Sequence, residues 1–375
     1  MKRITFAFLV AVLPFLAFSQ NDISKLDKNF ATKTVQGVNV VYHNMLASPF
    51  VLEGFAWYNQ DKALCRIPLA ITEKDISRGV YHLARETAGG VIRFRTNSQV
   101  LSVRYTLTLP ERNFGHMPAT GVSGLDIVID GFNRNVNPMN GNKLGNPVER
   151  LVARNLSAKM KDIEVYLPLY NGIKSIEIGL SANAKIEAPR EHKIKKPVVF
   201  YGSSITQGGC ANKPTHAYTT MLCREVDAPQ INLGFSGNAK GEDKMAELIA
   251  SLDMSVFVYD YDHNAPNATH LKNTHERFFK IIRKAQPNLP IIIMSSVGYP
   301  IDPKHWGKRE AVIMQTYKNA VKNGDKNVYF VHGKDMTKDV SRFIWTTDNC
   351  HPNDYGFYLM YKATLPTLKK ALSIE

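Results

Sequence analysis

Two short stretches of this chain carry side chains of the types that nucleophilic catalysis needs. In "VVFYGSSITQGG", residues 198–209, Ser203 and Ser204 sit in a tight connection behind an apolar run. In "TTDNCHPNDYGF", residues 346–357, Asp348 stands three residues ahead of His351. A serine hydroxyl attacks an ester only when a base takes its proton; imidazole is such a base near neutral pH, and a carboxylate on its other nitrogen fixes the useful tautomer. A single curled loop can supply both groups when they are three residues apart. Backbone N–H groups of the serine turn can also face an oxygen that gains negative charge. The chemistry implied is acyl transfer: His351 takes the proton of Ser204, the serine attacks an ester carbonyl, and water releases the acyl-enzyme. It requires no metal and no organic cofactor. Either stretch alone is weak evidence, since serines in turns more often satisfy backbone groups.

The pair gains weight from the elements that must position it. Between residues 197 and 375, apolar runs alternate with longer amphipathic stretches. Val198–Tyr201, Gln230–Leu233, Val256–Tyr259, Ile291–Met294 and Val328–Val331 read as buried parallel strands. His216–Glu225, Glu242–Ser251, His270–Ala285, Lys308–Lys322 and Asp354–Ala371 read as helices. The pattern predicts a doubly wound, flavodoxin-like α/β domain with five parallel strands, whose sites form at the carboxyl ends of the strands. Ser204 and the Asp348/His351 loop follow the first and last of these. Upstream, residues 20–188 show short period-two segments: Gly90–Phe94, Val100–Leu107, Leu125–Ile129, Ile163–Leu167 and Ile173–Leu180. They are separated by turn clusters such as Asn133–Pro147, and predict an antiparallel, jelly-roll-like β-sandwich. Residues 189–196 read as a polar linker.

With both blocks in view, the chain resembles the SGNH/GDSL hydrolase family over roughly Lys196 to Leu372. Gly202-Ser203-Ser204-Ile205 matches the family's first block, with Ser204 at the nucleophile position. In "INLGFSGN" Gly237 falls on the oxyanion-hole glycine, and in "YDYDHNAP" Asn264 falls on the oxyanion asparagine. Asp348-x-x-His351-Pro352 matches the fourth block. Ser203 stands where the family usually has Asp, and the third block lacks the usual Gly-x-Asn-Asp. The resemblance implies a carboxylic ester hydrolase whose oxyanion hole is built from Ser204, Gly237 and Asn264. The segments "GVSGLDIVID" and "EVYLPLYNGI" also resemble the β-sandwich of a bacterial subgroup made up mostly of carbohydrate esterases. That likeness moves the expected substrate from lipid towards short acetyl esters on polysaccharide or oligosaccharide. The rivals are a lipase or phospholipase-like esterase and a non-catalytic glycan-binding protein; polar, Asn-rich loops argue against the first, and the presence of Ser204 and His351 against the second.

Composition sets the remaining bounds. At 375 residues and 44% hydrophobic content the chain can bury two cores and is no disordered segment. Lys2, Arg3, an apolar run from Ile4 to Phe18, and small residues at Ala17 and Ser19 predict an export signal at residues 1–19, hence a secreted or periplasmic protein. No stretch reads as a membrane span. The net charge of +14 reads as a solvated basic surface, with attraction to an acidic glycan as the alternative and nucleic acid given little weight, because the basic residues are scattered. Cys65, Cys210, Cys223 and Cys350 allow three full disulfide connectivities or free thiols. Asp260, Asp262 and His263 invite a metal reading, but no fourth ligand accompanies them. Trp306 and Trp345 are expected on loops beside the nucleophile, where they stack on sugar rings or pack the loops, and Trp57 and Tyr58 are expected in a core.

Overall fold

Along Lys161–Tyr166, Ile163 and Val165 are buried while Asp162 and Glu164 are not, the period of two that sets one face of a strand on a core. The same logic builds eleven strands in the N-terminal half of the computed structural model, which describes residues 32–110, 114–138, 147–298 and 303–375. The candidate export signal lies outside the described residues. The strands are β1 (Lys33–Val35), β2 (Val38–Asn44), β3 (Val51–Glu53), β4 (Val91–Thr96), β5 (Leu101–Leu107), β6 (Leu125–Ile129), β7 (Phe132–Val136), β8 (Val148–Ala153), β9 (Lys161–Tyr166), β10 (Ile173–Leu180) and β11 (Ile186–Glu187). They form two antiparallel sheets, ordered β1-β2-β10-β5-β8 and β11-β4-β9-β6-β7, with β3 added on β4. Phe94, Val103, Tyr105, Ile127, Val165 and Ile178 fill the space between them.

One departure from the sequence pattern is β7, which starts at Phe132 and runs on into the Asn133–Pro147 turn cluster. The turn is Asp130-Gly131, both with positive φ (46° and 87°), joining Ile129 to its partner Phe132 as a two-residue hairpin does. β7 is mostly solvent-facing, so it shows no apolar alternation, and the turn begins three residues earlier than composition suggested.

The strands of the C-terminal half are β12 (Val198–Gly202), β13 (Gln230–Gly234), β14 (Val256–Asp260), β15 (Ile291–Met294) and β16 (Val328–Val331), all parallel, in the order β13-β12-β14-β15-β16. Around them lie α1 (Ser204–Gln207), α2 (Tyr218–Val226), α3 (Asp243–Ala250), α4 (Ala268–Ala285), α5 (Pro303–Lys322) and α6 (Asp354–Leu372). Alternate side chains serve opposite faces. Val199, Tyr201, Phe257, Tyr259, Ile291 and Ile293 pack with α3, α4 and α5, whereas Val198, Phe200, Val256, Val258, Ile292 and Met294 pack with α2 and α6. The strand order turns back at β12, so a crevice opens above its carboxyl end, between the loops that follow β13 and β14. Among the described residues no helix is long and apolar enough to cross a membrane.

The N-terminal half is not a detached module. Cys65, Ile67 and Val80 join one face of the parallel sheet, and Met117, Val122, Leu169 and Tyr170 join the other. Arg66, wholly buried, donates to the carbonyls of Leu83 (2.7 Å) and Glu86 (2.9 Å) in its own half and to those of Asn232 (3.1 Å) and Gly234 (2.6 Å) on β13. A charge without water is tolerable only when it is bonded in this way.

A second tie is ionic. His192 Nε2 lies 3.0 Å from Glu53 and Nδ1 lies 2.8 Å from Asp227, while Arg93 holds Glu53 at 2.9 Å. Burial alone would push the imidazole down, but the two carboxylates reverse this and raise it above 6.5; burial would raise Glu53 and Asp227, and their cationic neighbours bring both below the usual range. The stability supplied by protonated His192 is therefore complete below pH 6.5 and lost as pH rises through its raised value. His192→Gln should lower the thermal midpoint most in mildly acid buffer, and the gap to the wild type should narrow towards alkaline pH. A gap that does not change with pH would mean that the imidazole acts by packing alone.

Candidate active site

β12 ends at Gly202, and Ser203 turns the chain into α1 with its Oγ accepting the N–H of Ile205 at 3.2 Å. Ser203 thus caps the helix, a task to which serine and aspartate are equally suited, and the family's usual Asp is replaced without loss of that bond. Ser204 is then the first helical residue, and its Oγ sits 2.9 Å from His351 Nε2. β13 passes close beneath because Gly234 has no side chain; a Cβ there would meet the backbone nitrogen of Gln207.

The Asp348/His351 loop holds itself in shape. Thr346 bridges to Pro352, the N–H of Thr347 donates to the carbonyl of His351 at 2.9 Å, and Asn349 takes a left-handed conformation (φ 63°). Asp348 Oδ1 accepts the N–H groups of Cys350 (3.0 Å) and His351 (2.7 Å), the habit of a short acidic side chain in a turn. Its Oδ2 lies 2.7 Å from His351 Nδ1. Burial raises the Asp348 carboxyl, but these donors and the imidazole outweigh it and hold the group below the usual carboxylate range. An ionised Asp348 can only accept, so Nδ1 carries the proton and Nε2 offers its lone pair to Ser204.

Two of the three predicted oxyanion donors lie on loops flanking the end of β12. Gly237 follows β13 with φ 70°, in open space, and its N–H has no acceptor among the described residues. Asn264 follows β14; its Oδ1 accepts the N–H of Ala239 at 3.2 Å, which ties the two loops together and leaves Nδ2 without an acceptor among the described residues.

Several residues around Ser204 were not legible in the sequence. Gln207 Nε2 donates to Glu86 Oε2 (2.6 Å) and to the Leu169 carbonyl (3.0 Å), while its Oε1 accepts the N–H of Ser236 (2.9 Å), next to Gly237. Tyr170, from the N-terminal half, donates to the Ser204 carbonyl at 3.2 Å. Below α1, buried Asp260 accepts from Thr206 (2.9 Å) and Tyr218 (3.0 Å), and burial pushes its carboxyl up to about 7. Glu86, Leu169 and Tyr170 are far from Ser204 in sequence and carry no periodicity of their own. Only the fold brings them there.

Other expectations need correction. Trp345 is no loop aromatic: it ends the short helix Arg342–Trp345, is 2% exposed, and fills space against Gly298 and Gly356, so it has no face for a sugar. Trp306 lies within α5, not on a loop; it is half-buried, tilted against His263 (5.3 Å between ring centres), with the Arg309 guanidinium 4.8 Å over its ring. Asp262 faces Arg309 at 3.9 Å, and Asp260 is bonded to Thr206 and Tyr218. All four cysteines are free thiols. Trp57 and Tyr58 pack at the margins of two cores.

Comparison with known proteins agrees with this arrangement. The model of the GDSL-like lipase/acylhydrolase family matches residues 195–369, and that of the N-terminus of SGNH-hydro-type esterases matches residues 40–186. No curated protein matches. Among solved structures, one described as a GDSL-like lipase from Bacteroides ovatus is 29% identical, with a TM-score of 0.80 over 90% of this chain and 99% of its own. A salicylyl-acyltransferase from a tetracycline biosynthetic pathway (21%, TM-score 0.73, covering 90% and 99%) shares the fold. So does a family two carbohydrate esterase from Cellvibrio japonicus (11%, TM-score 0.61, covering 89% and 98%). Residues 195–369 thus belong to the GDSL-like lipase/acylhydrolase family and residues 40–186 to the N-terminal domain that accompanies SGNH-type esterases, which makes the chain a carboxylic ester hydrolase.

Proposed function

We propose that this protein is exported and removes short acyl groups, acetyl above all, from carbohydrate esters through an acyl-enzyme on Ser204. The observation that carries the reading is the relay from Ser204 Oγ through His351 to Asp348, at 2.9 and 2.7 Å. His351 Nε2 takes the hydroxyl proton as Oγ attacks the carbonyl carbon, and Asp348 stabilises the imidazolium that forms. The proton then passes to the leaving alcohol, and a water activated by the same nitrogen releases the acid. Donors around the carbonyl oxygen are the N–H groups of Ser204 and Gly237 and the amide of Asn264. The carbohydrate assignment is supported by the shared fold with the Cellvibrio japonicus carbohydrate esterase, and export by the pattern of residues 1–19.

A comparison of 4-nitrophenyl acetate with the decanoate, followed by acetate release from a panel of acetylated polysaccharides, tests the reading. Faster turnover of the acetate is expected. Preference for the decanoate would make the enzyme lipase-like, and hydrolysis of neither would point to a glycan-binding protein.

Asn264→Ala bears on the mechanism. A fixed donor that strengthens only as the oxygen gains charge acts on kcat, and removing one costs on the order of 10² to 10³. The variant should lose kcat by about that factor with KM little changed. A change mainly in KM would make Asn264 a substrate-positioning residue.

A further inference from the structure

We infer that the mouth of the active site is also a binding site for a thiophilic divalent cation such as Zn²⁺, held by Nε2 of His116, Sγ of Cys210 and Nε2 of His351, and that an occupied site stops hydrolysis. Three separate parts of the chain meet there. His116 comes from the loop ahead of the N-terminal half's Met117, Cys210 follows α1, and His351 belongs to the self-braced loop. Together with Asp348 they place one ligand atom each so that all lie within 4.8 Å of one another. The rings of His116 and His351 are 5.8 Å apart, tilted by 41°.

The hydrogen bonds already present are those a metal site uses. A ligating histidine almost always gives its second ring N–H to a carboxylate or a backbone carbonyl, which fixes the ring and its tautomer. His116 Nδ1 lies 2.6 Å from the Phe114 carbonyl, and His351 Nδ1 lies 2.7 Å from Asp348. Carbonyl and carboxylate oxygens only accept, so both rings carry their proton on Nδ1 and direct the Nε2 lone pair elsewhere. Two imidazoles and a thiolate form a tripod suited to zinc, with a fourth, tetrahedral position left for water. Zinc bonds of about 2.0 to 2.3 Å set tetrahedral ligand atoms roughly 3.5 Å apart, so the groups must close by about 1 Å.

The proton count is simple. The Cys210 thiol releases its proton to solvent and binds as thiolate, and both imidazoles bind neutral. The cation then occupies the lone pair on His351 Nε2 that otherwise takes the Ser204 proton, and the serine is left without its base. The site rests on the same placement of His351 as the proposed hydrolysis, so binding has to be read without turnover.

Co²⁺ titrated into the full chain is the probe, because a cobalt–thiolate bond gives a charge-transfer band and tetrahedral cobalt gives intense visible bands. One cobalt per chain with both features is expected, displaced by Zn²⁺, with zinc chloride abolishing 4-nitrophenyl acetate hydrolysis and a chelator restoring it. Cys210→Ser should lose the charge-transfer band. His116→Gln should weaken binding by about tenfold or more, and Asp348→Asn, which alters only the support of His351, by about 10- to 100-fold. His116→Gln, on a surface loop, keeps the test decisive if the buried Cys210 variant does not fold. A cobalt complex without the thiolate band, or zinc inhibition unchanged in His116→Gln, overturns the proposal. Should the wild type hydrolyse no ester at all, the cobalt spectrum still decides whether the site exists.

Discussion

Ser204→Ala is expected to lower kcat for 4-nitrophenyl acetate by about 10⁶-fold, the scale seen when a serine hydrolase loses its nucleophile, while KM and the thermal midpoint change little. The hydroxyl bonds to His351, and the neighbouring backbone bonds run through the Ser204 carbonyl, which accepts from Gly209 (2.7 Å) and Tyr170 (3.2 Å) and survives the substitution. Ser203→Ala supplies the contrast. It removes the side-chain cap on Ile205, at a cost of about 1 kcal/mol in stability, and leaves most of the turnover. Steady-state kinetics on the two variants separates them, and the reverse result would mean that Ser203 is the attacking residue.

The second large effect is at Asp348, where the hydrogen bonds dictate what an amide would do. Oδ1 accepts two backbone N–H groups, so an asparagine must keep its oxygen there and turn its NH₂ towards His351 Nδ1. Facing a donor, Nδ1 has to give up its proton, which moves to Nε2 and removes the lone pair that Ser204 needs. Asp348→Asn should therefore lower kcat by about 10⁴ with the fold intact, checked by kinetics alongside circular dichroism. Near-normal turnover would show that another acid supports the imidazole.

What the sequence made legible follows from what is local. Each of the five parallel strands was placed to within a residue, because buried strands are apolar on both faces and bounded by polar helices. Asp348 and His351 could be paired because three residues of one loop hold them together. β7 was hidden because an edge strand facing water has no alternation to show. Trp345 reads two ways because an aromatic residue near a functional loop looks the same in sequence whether it packs inward or faces a ligand; the fold selects packing. Glu86 and Gln207 are 121 residues apart, and nothing in either neighbourhood announces their bond.

Arg66 has a consequence for biogenesis. Two of its acceptors, on Leu83 and Glu86, are made soon after it, but those on Asn232 and Gly234 are 166 and 168 positions further along. As the chain leaves the ribosome its N-terminal sheets can close early, yet the guanidinium and the apolar strip around Cys65, Ile67 and Val80 stay uncovered until β13 has been made. Made alone, the first half of this protein would carry that seam open to neighbouring chains.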